Sequence, residues 1–207
     1  MPENLHKLFV ISSPSGGGKT SLINKLFEDS RSSNFEKSSS DTSREKRQGD
    51  LEGKDYYFLS EKDFKDKIKK EEYVEYATVF GNFYGTSKEE IKTKYNNSNL
   101  ILELDWQGAY AVKELFDDAK LIFLVPPSLD DLKQRLIKRN LDSSEAIESR
   151  LSEAKKEISK SEMYDYLVLN DDFDKAFEDL SQILFEGISP IDFNSRASKD
   201  LIKRLVE

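Results

Sequence analysis

A glycine-rich run that ends in a lysine and a threonine is the part of the sequence whose residue types point most directly to chemistry. Residues 13–20 read Ser-Pro-Ser-Gly-Gly-Gly-Lys-Thr. The glycines leave backbone N–H groups open to an approaching anion. Lys19 would bring a cation to the β and γ phosphates of a nucleotide, and Thr20 a hydroxyl ligand for Mg²⁺. The run therefore predicts a phosphate-binding loop.

The neighbours of this loop support the prediction. The apolar run 8–11 predicts a strand before it, and residues 21–28 predict a helix after it, whose N-terminus adds the positive end of its dipole. The alternative, a flexible turn that precedes a lysine by coincidence, is disfavoured by this context. One position departs from the usual pattern, because Ser13 stands where glycine is expected.

The rest of the chain alternates predicted strands with predicted helices. Apolar runs of strand length occupy residues 8–11, 100–104, 121–125 and 166–169, and helical patterns occupy 21–28, 61–70, 87–95, 108–116, 129–140, 144–160 and 174–185. This alternation predicts an α/β fold with a parallel sheet. Ligands bind such sheets at the carboxyl ends of the strands, where the loop, residues 103–105 and residues 170–171 all fall.

Composition excludes several kinds of site. The 207 residues carry a net charge of −8, which gives no electrostatic footprint for nucleic-acid binding. There is no cysteine, so disulfides, thiolate zinc sites and cysteine catalysis are excluded. The one histidine, His6, lies in the polar N-terminal stretch. With neither a signal-peptide pattern nor an apolar run of membrane length, we expect a cytoplasmic protein without membrane partners.

A second group of anion-binding residue types lies in a polar segment. Residues 29–55 have the composition of a linker, yet they run into the aromatic cluster 56–59 and the strand-like run 73–77. We therefore predict a small inserted subdomain, called the insert, over residues 38–95. Within it, residues 40–49 combine Arg44 and Arg47 with several hydroxyls, which suits a phosphate. Taken alone, a charged loop of this kind is more often solvated surface than a binding site.

Together these motifs resemble the guanylate kinases of the nucleoside-monophosphate kinase group, over residues 7–187. The family loop S-x-T-T-R-x-P-R-x-G-E-x-x-G-x-D-Y-x-F matches residues 40–58, with Ser43, Lys46 and Asp50 as departures. The resemblance implies a P-loop kinase fold and transfer of the γ-phosphoryl group of ATP to GMP or dGMP, with Mg²⁺, in purine nucleotide metabolism. The loop residues implied to bind ATP are Ser13, Pro14, Ser15, Gly16, Gly17, Gly18, Lys19 and Thr20.

The resemblance also implies residues that bind GMP. Those for its phosphate are Ser40, Arg44, Arg47, Tyr56 and Tyr84. Glu75 can accept hydrogen bonds from guanine N1–H and the 2-amino group, where adenine has no donor, and Thr86 can bond guanine O6. Glu103 is implied to contact the guanine amino group, and Asp105 to lie near GMP and to bind Mg²⁺ through water; an acidic residue that ends a strand suits a metal site.

Further basic residues are implied to close over the donor. Arg135 and Arg139 share a face of one predicted helix and Arg150 lies on the next. The resemblance makes Arg139 and Arg150 lid arginines that stabilise the transferring group, with Arg47 and Lys19. It makes Arg135 a basic residue that binds ATP, and a solvated helix face is the alternative. Asn170, at the end of the fourth apolar run, is implied to lie near the adenine of ATP.

One guanylate-kinase-like domain is expected over residues 1–207. We predict a core at about 1–37, 96–126 and 161–190, the insert at 38–95, a helical lid at 127–160, and a tail at 191–207 with an amphipathic helix over 197–206. Two other functions stay open. One is a kinase for another nucleoside monophosphate, and the other is an inactive module that binds phosphorylated proteins, which the intact Lys19 and Thr20 disfavour.

Overall fold

The computed structural model describes residues 6–79, 81–138, 143–192 and 194–207. Its strands are β1 (Leu8–Ser12), β2 (Phe35–Lys37), β3 (Ser40–Thr42), β4 (Tyr56–Phe58), β5 (Tyr73–Val79), β6 (Asn82–Ser87), β7 (Asn99–Glu103), β8 (Lys120–Val125) and β9 (Tyr166–Leu169). Its helices are α1 (Lys19–Glu28), α2 (Glu61–Lys69), α3 (Lys88–Tyr95), α4 (Trp106–Leu115), α5 (Leu129–Lys138), α6 (Ser144–Ser159), α7 (Phe173–Ser181), which continues as a π-helical turn (Gln182–Glu186), and α8 (Arg196–Val206).

The central sheet of the described residues has five strands in the order β2-β7-β1-β8-β9, and every pairing is parallel. The four predicted strands correspond to β1, β7, β8 and β9, so the predicted α/β fold with a parallel sheet is confirmed. Strands β1, β7 and β8 are almost wholly buried, because helices cover both faces of the sheet.

Strand β2 was not predicted from the sequence. It lies at the edge of the central sheet and pairs with β7, with Lys37 opposite Ile101. Only Phe35 of its three residues is buried; Glu36 is exposed and Lys37 half-buried. A strand this short, with one apolar residue inside a polar segment, gives no periodic signal.

Two apolar clusters hold helices on the two faces of the sheet. One cluster joins alternate residues of the strands, such as Val10 and Leu102, to α3, α4, the C-terminal part of α6 and α8. The other joins Ile11 and Ile101 to α1, α7 and the π-helical turn. Successive strand residues point to opposite faces, so the continuous apolar runs supply both clusters.

A second sheet of the described residues has the order β4-β3-β6-β5 and is built within the insert. Strand β3 pairs with β4 in parallel and with β6 antiparallel, and β5 pairs antiparallel with β6. Phe64 of α2 is fully buried beneath it, with its ring centroid 4.5 Å from that of Tyr73 and 5.3 Å from that of Phe83. The boundaries of core, insert and lid remain predictions.

Short polar side chains begin most of the described helices. Ser60, Ser87, Asp105, Ser143 and Asp172 each accept a hydrogen bond from a backbone N–H of the first turn of α2, α3, α4, α6 and α7, respectively. The predicted helix 129–140 is α5 as far as Lys138, and its last two residues lie outside the described ranges. None of the helices within those ranges is long and apolar enough to cross a membrane.

Replacing Phe64 with alanine is expected to destabilise the insert. The change removes a fully buried ring that two other rings contact, so the free energy of unfolding should fall by about 3–5 kcal/mol in urea denaturation. Phe27→Ala is the control, because that side chain is 38% exposed and its loss should be about 1 kcal/mol. Equal losses for the two variants would contradict the packing described for Phe64.

Candidate active site

The glycine-rich loop connects β1 to α1, and two of its glycines have backbone angles that other residues rarely adopt. Gly16 has φ of 89° and Gly18 of 90°. A Cβ atom on Gly18 would also collide with the side-chain nitrogen of Asn170. A hydrogen bond of 2.8 Å from Gly17 N to Pro14 O closes the turn. The loop thus presents open backbone at the N-terminus of α1, as an anion site requires.

Ser13 fits the first position of this loop without strain. Among the described residues, the non-glycine residue with a positive φ is Glu71, so Ser13 has an ordinary backbone conformation. Its side chain is buried, and its hydroxyl donates to Pro14 O at 3.2 Å. The structure therefore gives no reason why a glycine is needed at this position.

Lys19 is half-buried at the start of α1, with its Nζ donating to Leu104 O at 3.3 Å. Burial lowers the pKa of Lys19, and the negative charges of Glu103, Glu157 and Asp105 partly offset that effect. Phosphate oxygens bound at the loop would favour the charged ammonium further. Glu157 of α6, which sequence reasoning missed, has its own pKa raised to about 7, mainly by burial.

Thr20 and Glu103 are directly hydrogen-bonded. The Thr20 hydroxyl is 2.6 Å from Glu103 Oε1, and Lys37 Nζ is 2.7 Å from Glu103 Oε2. Burial alone would raise the pKa of Glu103, but the hydrogen bonds from Lys37 and Thr20 and the charges of Lys37 and Lys19 lower it overall. The predicted contact of Glu103 with guanine stays a prediction. Lys37 was not predicted as a site residue, because the strand that carries it, β2, was not predicted from the sequence.

The residues predicted for guanine lie together where the insert faces α4. Thr86 Oγ1 donates to Glu75 Oε1 at 2.7 Å, and Ser40 Oγ is 3.4 Å from Thr86 Oγ1. Burial raises the pKa of Glu75, and the hydrogen bond from Thr86 opposes that shift. Asp105 begins α4 by accepting from Gly108 N at 2.9 Å, and a Cβ on Gly108 would lie only 3.1 Å from Glu75 Cγ.

Two of the residues predicted for the GMP phosphate contact an aspartate. Asp50 Oδ2 is 2.9 Å from an Arg44 Nη and 2.8 Å from Arg47 N. These two contacts, with the backbone one the larger, lower the pKa of Asp50. The Arg44 guanidinium lies 5.5 Å from the Tyr56 ring centroid, and the Tyr56 ring is 5.7 Å from that of Tyr84. Asp50 was noted in the sequence only as a departure from the family loop.

The predicted lid residues that the structure describes contact the phosphate loop directly or through Asn170. Arg150 donates to Ser15 Oγ at 2.9 Å. Arg135 donates to Asn170 O at 2.7 Å, and Asn170 Nδ2 donates to Gly17 O at 2.6 Å. The structure thus brings α5, α6 and the end of β9 onto the loop. Arg139 lies outside the described residues, so its predicted role stays a prediction.

A cavity of about 320 Å³ opens beside the loop at these contacts. Its walls include Gly18, Arg135, Asn170 and the aromatic ring of Phe173, which is 41% exposed. Phe173 was missed in the sequence, although an exposed aromatic residue directly after a strand end is a usable signal for a base-binding site. The cavity has the mixed apolar and polar lining that nucleoside sites commonly show.

The central strand of the parallel sheet leads through a glycine-rich loop, with Lys19 at its end, into a helix. This arrangement defines a P-loop nucleotide-binding protein. The family model for guanylate kinase matches residues 5–187, which is most of the chain. The chain therefore belongs to the guanylate kinase family.

Individual relatives agree with this membership. A guanylate kinase from Wolbachia sp. subsp. Brugia malayi (strain TRS) is 46% identical over 184 residues, covering 88% of this chain and 93% of the relative. One from Francisella tularensis subsp. holarctica (strain LVS) is 43% identical over 184 residues, covering 87% and 97%. The crystal structure of guanylate kinase from Anaplasma phagocytophilum superposes with a TM-score of 0.67 at 32% identity, covering 99% and 98%.

Replacing Gly18 with alanine is expected to weaken ATP binding. The new Cβ would adopt a strained φ and displace Asn170 from the loop, so the affinity for ATP measured by calorimetry should fall by about tenfold or more, equivalent to about 1.4 kcal/mol. Gly187→Ala is the matched control, because Gly187 also has a positive φ of 72° but no atom lies within 4 Å of its added Cβ. An unchanged ATP affinity in Gly18→Ala would refute the described loop geometry.

Proposed function

We propose that this protein catalyses the transfer of the γ-phosphoryl group of ATP to GMP, and to dGMP, giving ADP and the guanosine diphosphate. The observation that carries the proposal is the linked set of Glu75, Thr86 and Ser40, which joins a carboxylate suited to guanine to a cluster suited to phosphate. The names and extent of the matching relatives favour this function over the two alternatives.

The donor ATP would bind along the glycine-rich loop. Backbone N–H groups, Lys19 and the N-terminus of α1 would hold its phosphates, and the cavity lined by Arg135, Asn170 and Phe173 would receive its base. Mg²⁺ bound to ATP would neutralise phosphate charge and polarise the transferred group. Thr20 would supply a hydroxyl ligand and Asp105 a ligand through water, and oxygen donors of this kind suit Mg²⁺.

The acceptor GMP would lie between the insert and α4. Glu75 would accept from guanine N1–H and the 2-amino group, Thr86 would bond O6, and Glu103 and Asp105 would lie close to the base. Ser40, Arg44, Arg47, Tyr56 and Tyr84 would hold the phosphate. Because Asp50 already binds the Arg44 guanidinium, that side chain is oriented before the substrate arrives, and the bond from Arg47 N to Asp50 holds the backbone of the loop that carries Arg47.

The chemical step would be an in-line displacement. A GMP phosphate oxygen would attack the γ phosphorus of ATP as the bond to the β-phosphate oxygen breaks, so that ADP leaves with the electron pair. That oxygen is already largely ionised near neutral pH, so no general base is needed. Lys19, Arg47, Arg139 and Arg150 would stabilise charge on the transferring group, and closure of the lid would exclude water as a competing acceptor.

Two features bear on the alternatives. A module that only binds phosphorylated proteins has no need of a phosphate-binding lysine and a metal-binding hydroxyl at the start of α1, where Lys19 and Thr20 lie. A kinase for another nucleoside monophosphate has no need of a half-buried carboxylate at position 75, because only guanine offers it two adjacent donors, N1–H and the 2-amino group. A cytoplasmic location and the absence of nucleic-acid partners are part of this proposal.

An acceptor panel tests the proposal. GMP, dGMP, AMP, UMP and dTMP are each incubated with ATP and Mg²⁺, and ADP formation is followed. GMP and dGMP should be the best acceptors. If AMP outperforms GMP, the role of Glu75 is wrong, and if folded protein phosphorylates none of the five, the inactive module becomes the better account.

Replacing Glu75 with glutamine should raise the KM for GMP. The amide keeps the shape of the side chain but offers one acceptor instead of two, so the loss of about 1.5–3 kcal/mol corresponds to a roughly 10- to 100-fold increase. The KM for ATP should not change. Glu89→Gln, at an exposed position of α3, is the control. Equal increases in both KM values would remove Glu75 from the acceptor site.

Replacing Lys19 with methionine should reduce kcat by about 100-fold or more, because the cation acts on charge that develops in the transition state. The fold should remain, since the lysine is half-buried and methionine fills similar space. Steady-state kinetics and urea denaturation measure the two effects. Near-normal kcat in the folded variant would disprove the loop assignment.

A further inference from the structure

Lys37 is a lysine of the central sheet that neither the fold nor the proposed catalytic step accounts for. It lies on the edge strand β2, where it pairs in register with Ile101, and its Nζ is 2.7 Å from Glu103 Oε2. Phe35 and Lys37 point to the same face of β2, as Ile101 and Glu103 do on β7. This is the face that α1 covers, so the ion pair lies beside the start of α1.

The backbone around Lys37 is held firmly. Ser38 N donates to Ile101 O at 2.9 Å, and Lys94 Nζ donates to Lys37 O at 2.8 Å. Glu103 is likewise fixed by the pairing of β7 with β1. Side-chain exposure is 38% for Lys37 and 19% for Glu103, so the pair is less hydrated than an ordinary surface ion pair, and both partners project from rigid strands.

The other oxygen of Glu103 accepts a hydrogen bond from the Thr20 hydroxyl. A hydroxyl that ligates a cation must turn its lone pairs toward the metal and its proton away from it. In the structure Thr20 donates to Glu103 Oε1 at 2.6 Å, which leaves its lone pairs for a metal. Carboxylates that hold a metal ligand in this way are known to tune metal affinity.

We propose that Lys37 is a positioning residue of the metal site, which fixes Glu103 so that Glu103 in turn orients the Thr20 hydroxyl toward Mg²⁺. The inference rests on the proposed function, since the metal is the one that accompanies ATP. It adds a chain of three side chains, Lys37 to Glu103 to Thr20, that extends from the edge of the sheet to the phosphate loop.

Few protein ligands are available for the metal, so metal binding should depend on how the Thr20 hydroxyl is oriented. Among the described residues, no group of three or more histidines and carboxylates could enclose a metal ion by itself. Mg²⁺ is commonly held by one or two protein oxygens together with nucleotide phosphates and water. With so few protein ligands, the direction of a single hydroxyl has a large share in the affinity.

The test measures metal binding, not turnover. Mn²⁺ prefers the same oxygen ligands as Mg²⁺ and is followed by electron paramagnetic resonance, with ADP as the nucleotide and without an acceptor. Lys37→Met should weaken Mn²⁺ binding to the protein–ADP complex by about tenfold, at the lower end of the range for such indirect partners. Lys37→Arg should restore most of the affinity, because arginine can still donate to Glu103.

Two controls make the result specific. Lys92→Met removes an exposed lysine from α3 and should leave Mn²⁺ binding unchanged. The affinity for ADP without metal should be the same in wild type and Lys37→Met. Urea denaturation checks the fold, and Lys37→Gln replaces the methionine variant if the latter does not fold.

Three results would overturn the inference. Unchanged Mn²⁺ affinity in Lys37→Met would show that Glu103 needs no support, and tighter binding would show that Lys37 competes with the metal. An equal loss of metal-free ADP affinity would place Lys37 on the phosphates. The Mn²⁺ experiment contains no acceptor nucleotide, so an error in assigning GMP as the acceptor would not affect it and would be revealed only by the acceptor panel. Wild-type protein that does not bind Mn²⁺ with ADP would overturn the inference itself.

Discussion

The parallel pairing of β1 with β7 on one side and β8 on the other is the interaction on which the rest of the structure depends. It brings the carboxyl ends of three buried strands to one edge of the sheet, so the phosphate loop after β1 and the carboxylate at the end of β7 become neighbours. The backbone hydrogen bonds of the sheet fix this arrangement before any side chain contributes. The hydrogen bond from Thr20 to Glu103 and that from Lys19 to the Leu104 carbonyl both follow from that register.

Around this edge, three cationic side chains of the site already have hydrogen-bonding partners within the protein. Arg44 is bonded to Asp50, Lys37 to Glu103, and Arg150 to Ser15 of the loop. Two polyanionic nucleotides need concentrated positive charge, yet cations without partners would repel one another before the nucleotides bind. Pairing each of these three cations with a local acceptor orients its side chain at little cost in free energy. When a nucleotide binds, contacts within the protein are then exchanged for contacts with phosphate.

The sequence predicted the features that depend on continuous local patterns. The four long apolar strands, the helices and the phosphate loop each have a period or a motif. Contacts between distant segments could not be predicted in this way: the bond from Asn170 to Gly17 joins residues 153 positions apart, and Lys37 lies on a three-residue strand with a single buried side chain. Asp50 appeared only as a substitution in a motif, because the arginine it orients is visible only in three dimensions.

Helix α6 is anchored at one end and contacts the loop at the other. Its last turns carry Ala154 and Ile158, both almost fully buried, and Ile158 shares its apolar cluster with Leu205 of α8. Tilting the whole helix away from the loop would expose these side chains, at about 1.5–3 kcal/mol for Ile158 alone. Opening of the nucleotide site is therefore expected to be a bend within the first turns of α6, near Arg150, and not a hinged swing of the entire helix. The buried C-terminal turns of α6 would stay in place and so keep the amplitude of that motion small.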